Sequence, residues 1–180
     1  MQRFILLISL TLLLSACISE GTEVDNSPSP FFDLEGYIAA ESARLSSLRP
    51  KVEKTITLNG ETEAKEITDI NFENDLRLFK EADINKPAWH DKYDTKEKTL
   101  SAGHVITSYL ARDSSLTVRR LMVEQDQKAT IKVEIERHTG SVLSDGHHLL
   151  TYEPARGYEV STNQTNRFGE DVKARIVVRW

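Results

Sequence analysis

Cysteine is almost absent: Cys17 stands alone in 180 residues. A single thiol excludes an internal disulfide framework and any metal site built from several thiolates. Glycine is sparse too, at eight residues scattered along the chain. That leaves no glycine-rich phosphate loop, and no serine sits in a Gly-x-Ser-x-Gly nucleophile elbow. An excess of positive charge is also lacking. The chain has 23 basic and 28 acidic side chains and a net charge of −5, so it has no basic surface with which to neutralise a phosphate backbone. Nucleic acid is not an expected partner. Long hydrophobic runs are missing as well. The longest near-continuous one, FILLISLTLLL at residues 4–14, is about half the roughly 20 residues needed to span a bilayer.

What is present begins at the first residue. Met1, Gln2 and Arg3 carry one positive charge and no acid, the eleven-residue apolar run follows, and Leu14-Ser15-Ala16-Cys17 closes it. Charge, short apolar run and small residues in that order read as a secretory signal peptide. The four closing residues resemble the lipobox of bacterial lipoproteins: a bulky apolar residue, two small ones, then the cysteine that becomes residue one. The resemblance implies cleavage after Ala16, a diacylglycerol thioether on Cys17 and acylation, such as palmitate, on its new amino group. Two or three buried chains, at about 0.8 kcal/mol per methylene, hold far better than one. In the sorting rule that goes with the resemblance, Asp after the cysteine retains the protein at the inner membrane. Ile18 here implies the outer membrane, with the domain facing the periplasm.

Residues 18–30, ISEGTEVDNSPSP, show no periodicity and read as a flexible tether reaching at most about 45 Å. The expected organisation is a signal peptide at 1–16, a lipidated cysteine and tether at 17–30, and one domain at 31–180. That domain is long enough to bury a core.

Within the domain, Leu34, Ile38, Glu41, Leu45 and Leu48 recur at helical spacing. Asp33 stands as N-cap and Pro50 as stop. Residues 70–82 read as a second helix with Phe72, Leu76 and Phe79 on one face and Asp69 or Asn71 as cap. Between them, Val52, Lys54, Ile56 and Leu58 alternate up to Asn59-Gly60, a two-residue hairpin signal. The return segment 61–67 is charged enough to be an edge strand. Pro87 restarts an extended chain through Trp89 and Tyr93.

Strands follow at 104–111, 116–124, 130–138, 141–152, 158–168 and 172–180, with short links that make neighbours pair in order. Ile131, Val133 and Ile135 point one way and Lys132, Glu134 and Glu136 the other, so one sheet face is covered and the other wet. The fold class is α+β: one or two N-terminal helices packed on an antiparallel meander of about six to nine strands, a curved sheet or half-barrel. An integral barrel is excluded because residues 160–166 are polar on both faces.

The chemistry-bearing residues are few. Of five histidines, His147 and His148 are adjacent in a strand and face opposite ways. Asp145 and His147 share a face, and His138 or His104 could join them from another strand, a weak catalytic or metal-binding candidate that depends on register. No metal and no cofactor beyond the lipid on Cys17 is expected. Glu134 and Glu136 read as cross-strand salt pairing. Charge is unevenly divided: residues 17–102 hold 11 basic and 18 acidic groups, and residues 103–180 hold 11 and 10, eight of those eleven being arginine. Arg119, Arg120, Arg175 and Arg179 are candidates for binding an anionic group. Adjacent Arg119 and Arg120 cannot both take the wet face of a regular strand.

These readings converge on a lipid-anchored envelope protein. The leading expectation is a non-enzymatic binding or interaction module whose concave sheet face meets an envelope protein or a lipid or anionic ligand. An apolar cavity between helices and sheet would mark a lipid carrier. The alternatives are a small tethered hydrolase, requiring Asp145, His147 and another His or Glu in one cleft, and a structural accessory of an envelope complex.

Overall fold

Alternating strands joined by short links place each strand beside its predecessor, and the chain follows that rule for seven strands in succession. The computed structural model describes residues 30–180. Cys17, the lipobox and residues 18–29 lie outside the described residues. The strands are β1 (Val52–Leu58), β2 (Glu61–Ile67), β3 (Tyr93–Ser101), β4 (His104–Ala111), β5 (Val118–Asp126), β6 (Ala129–Gly140), β7 (Ser144–Glu153), β8 (Gly157–Asn166) and β9 (Val172–Arg179). They form one open antiparallel sheet in the order β2-β1-β9-β8-β7-β6-β5-β4-β3. The first hairpin thus joins the far side of the meander through β9, with Lys54 opposite Val178.

The N-terminal helix, α1 (Leu34–Leu48), starts where expected: the Asp33 side chain accepts from the Gly36 amide at 2.8 Å. A second carboxylate, Asp83, accepts from the Leu34 amide at 3.1 Å, so two acids serve the orphan donors of one helix end. The buried stripe is Leu34, Ile38, Ser42 and Leu45, whereas Leu48 is exposed. Instead of one helix at 70–82, two single turns form, α2 (Phe72–Asp75) and α3 (Arg77–Lys80), capped by Asn71. The break is at Leu76, whose φ of −91° and ψ of 3° are not helical. It leaves Phe72, Leu76 and Phe79 all buried while Asp75 meets Lys54 at 2.8 Å and the Tyr158 hydroxyl. Pro87–Trp89 is a 3-10 turn and not extended chain; its proline sits at the first turn, where its missing N–H costs nothing.

The helices cover one sheet face. Leu121, Val123, Val133, Ile135, Leu150, Tyr152, Tyr158 and Val178 meet Leu34, Ile38, Leu45, Phe72 and Phe79 in one core. Aromatic rings fasten it edge to face: Phe79 against Tyr152 and Tyr158 at 6.0 and 5.9 Å, Trp180 against Phe72 at 5.9 Å. The helices are shorter than the sheet is broad, so Ile56 and Leu58 keep 43% and 52% of their surface despite their inward phase. Ile131, on the same face as Val133, is likewise exposed. Among the described residues, the core side chains that face one another between helices and sheet, Leu34, Leu45, Phe79, Leu121 and Ile135 among them, are fully buried.

The paired arginines are resolved by a bulge. Val118 pairs with Arg137 and Arg120 with Glu136, so Arg119 is the extra residue. A bulge shifts the strand's phase by one. Val118, Leu121 and Val123 are all buried, and neither arginine enters the core.

Candidate functional site: the open sheet face

Strand β8 carries short polar side chains, Ser161 and Asn163, on the uncovered face, while its neighbours carry long ones. Short residues on a central strand between long ones leave a depression. Here it is a trough of about 710 Å³ crossing six adjacent strands. Ser161 and Asn163 make its floor. Arg120, Glu136, His147 and Leu149 form one wall, and Thr57, Lys173 and Arg175 the other. The hollow lies on the sheet face that the helices leave open.

The cations of the trough carry their own anions. Arg175 is clasped by Glu159 through two hydrogen bonds, at 2.7 and 2.8 Å. Arg120 lies 3.7 Å from Glu134 and 3.5 Å from Glu136, and Lys132 also meets Glu134. The cross-strand pairing expected of Glu134 and Glu136 is present. Arg179 is turned to the Tyr158 and Val178 carbonyls, with Glu159 at 4.0 Å. Arg119 donates to the Asp113 carbonyl at 3.2 Å and to His138. The four candidate arginines are thus all held intramolecularly, and only Arg120 and Arg175 line the trough.

At the trough's end the register brings a second group together. His138 of β6 is the direct cross-strand partner of His147 of β7. Their rings stack at 4.6 Å, 8° from parallel. Asp145 precedes His147 by two residues and so shares its face. Its Oδ2 lies 2.7 Å from His138 Nε2, and its Oδ1 lies 3.3 Å from His147 Nε2. Asp145 and His147 thus meet His138, while His104 pairs instead with Glu124 at 2.6 Å near the other end of the sheet.

Arg119 dictates the proton positions. Its guanidinium has only donors, so its 2.7 Å contact with His138 Nδ1 makes Nδ1 the acceptor. In that tautomer Nε2 carries a proton and donates it to Asp145. The hydrogen bond with His138 comes first, followed by the charges of His138, His147 and Arg119, in holding the Asp145 carboxyl below its usual range. His148, on the opposite face as its adjacency to His147 dictates, lies between the Thr139 and Thr162 hydroxyls at 2.9 and 3.0 Å. Burial, then the neighbouring Arg137, push its pKa below the ordinary histidine value.

The residues missed by sequence reasoning lie on two adjacent turns. Val142 and Leu143 of the β6–β7 turn and Phe168 of the β8–β9 turn are exposed, and the turns are tied by the Arg167 amide donating to the Leu143 carbonyl at 2.8 Å. The sequence pattern puts all three inside strands, at 141–152 and 158–168, whereas the strands begin at Ser144 and end at Asn166. The available signal is an apolar pair just after Thr139-Gly140 and a phenylalanine just before Gly169. The comparisons with known proteins add no relative. No family model, curated protein or solved structure matches this chain.

Proposed function

We propose that this chain is a cell-envelope lipoprotein, anchored through Cys17 to the outer membrane and facing the periplasm. Its folded domain is a non-enzymatic binding module that receives a protein partner in the trough. The observation that carries the reading is the trough itself, lined by charged and polar residues together with Leu149 and Ala174, on strands that end in the exposed Val142, Leu143 and Phe168. An apolar anchor beside a polar rim is the arrangement from which protein interfaces are built. The mixed charge favours a protein over a polyanion or lipid headgroup. Arg120 and Arg175 are already matched by carboxylates, and an incoming phosphate would have to displace them.

The hydrolase reading keeps one point in its favour, the convergence of Asp145, His147 and His138. Among the described residues neither His138 nor His147 hydrogen-bonds a serine or threonine hydroxyl. The group therefore offers proton transfer without a nucleophile already in its grasp.

The test is photo-crosslinking in living cells, with the probe at Asn163 on the trough floor or at Leu48 on the outer side of α1. A discrete protein adduct from position 163, absent from position 48 and lost when Cys17→Ser releases the chain from membranes, is expected. Equal adducts from both positions, or membrane retention of the Cys17→Ser chain, would overturn the reading.

A further inference from the structure

The His138–Asp145–His147 group touches the trough only through His147, and its geometry points to a further role. We infer that these three side chains form a site for a divalent transition ion of the zinc class. Each contributes one donor atom, and the three donors lie within 4.8 Å of one another. Tetrahedral zinc, with bonds of about 2.0–2.1 Å to nitrogen and oxygen, wants donors about 3.3 Å apart. The contacts of His138 with Asp145 Oδ2 at 2.7 Å and of His147 with Oδ1 at 3.3 Å lie below and at that separation, through the two oxygens of one carboxylate. Two imidazoles and one carboxylate are a ligand set suited to zinc rather than to magnesium or calcium. Three protein ligands leave a fourth position open. Asp145 and His147, 54% and 65% exposed at their side chains, give an ion direct access from solvent.

The stacked rings must part for an ion to bind: parallel imidazoles hold their in-plane lone pairs in separate planes, so both Nε2 atoms reach one ion only after a ring rotates. The three ligands nonetheless start as neighbours, each ring facing its own oxygen of Asp145. The cross-strand register provides this arrangement at little cost: His138 and His147 are opposite each other, and Asp145 is one pleat away.

Arg119 is the internal competitor. A ligating histidine ordinarily donates its second ring N–H to an acceptor, whereas His138 accepts there from Arg119 at 2.7 Å. Metal binding through Nε2 moves the proton to Nδ1, where it would face the guanidinium. Arg119 must then give up that bond and keep only the Asp113 carbonyl. Zinc and the Arg119–His138 hydrogen bond are mutually exclusive.

Isothermal titration of zinc chloride into the full-length protein in detergent tests this. One ion per chain is expected, with affinity falling at least tenfold in His147→Ala and in Asp145→Asn, and with magnesium giving no heat. Both residues are exposed, so unchanged melting temperatures serve as the folding control. Arg119→Gln, whose amide oxygen can accept from Nδ1–H, should tighten zinc about tenfold. Absence of zinc binding up to millimolar concentration, or binding that survives both ligand substitutions, would overturn the site. Unchanged affinity in Arg119→Gln would overturn the competition.

Discussion

Tyr152 of β7 donates a 2.6 Å hydrogen bond from its hydroxyl to Glu41 of α1, across 111 residues of sequence. Arg44, one turn along the helix, closes on the same carboxylate at 2.9 and 2.8 Å. Burial by itself would raise the Glu41 pKa, but the hydrogen bonds from Arg44 and Tyr152 outweigh it and hold the group below its usual value. A helix whose buried stripe is mostly aliphatic is thereby oriented on the sheet by one polar contact.

Removing that contact should be measurable. Glu41→Gln and Tyr152→Phe should each lower stability at neutral pH by about 1.5–3 kcal/mol, the range for a hydrogen bond to a charged group. Because the folded pKa is depressed, the contribution is present above the unfolded carboxyl value and is lost as pH falls through the folded one. Urea midpoints of parent and Glu41→Gln should therefore differ at pH 7 and converge as pH falls through the depressed folded value of Glu41. A constant gap would show that Glu41 acts through packing alone.

All five tyrosines should resist ionisation. Burial raises the pKa of Tyr37, Tyr93, Tyr109, Tyr152 and Tyr158, that of Tyr93 to about 12. For a raised folded value, the stabilisation is full below the ordinary tyrosine pKa of about 10 and drains away as pH rises through the folded value. Absorbance at 295 nm should stay flat past pH 10, then rise together with loss of secondary structure. A graded rise centred on pH 10 in a folded chain would contradict this.

Gly157 should be irreplaceable. Its φ is 136°, and an added Cβ would lie 1.9 Å from the Val178 carbonyl oxygen on the neighbouring strand. Backbone strain and overpacking together predict that Gly157→Ala costs on the order of 3 kcal/mol or more. Thermal unfolding checks it, with Gly60→Ala as comparison. Gly60 also has positive φ but open space around it, and should cost about 1–2 kcal/mol.

Filling the trough should separate binding from folding. Asn163→Trp places a bulky ring on the floor between His147 and Lys173, on an exposed position that tolerates change within about 0.5 kcal/mol. The cross-linked adduct from a probe at Leu149 should disappear while the melting temperature holds. Persistence of the adduct would move the interface off this face.

Much of this architecture is legible locally. Asp33 caps α1 because a short acid before an apolar period satisfies orphan amides. Asn59-Gly60 turns β1 into β2 with φ of 50° and 96°, values these two residues tolerate better than others. Val133 and Ile135 face the core because strand side chains alternate. The same rules mislead where the partner element ends early, as at Ile56, Leu58 and Ile131, which have the inward phase but no helix above them. They mislead too at residues 70–82, where a helical spacing is realised as two turns around a non-helical Leu76.

The sequence by itself determined the long helix, the meander and the face on which Asp145 and His147 lie together, since each follows from a period of 2 or 3.6 and from turn chemistry close at hand. Tertiary structure alone decided that His138 and not His104 meets them, that Arg119 escapes the core through a bulge, and that short residues on β8 become the floor of a trough. Those outcomes depend on strand register and sheet curvature. Both are settled by packing between residues far apart in the chain, where a one-residue slip would send every side chain to the opposite face.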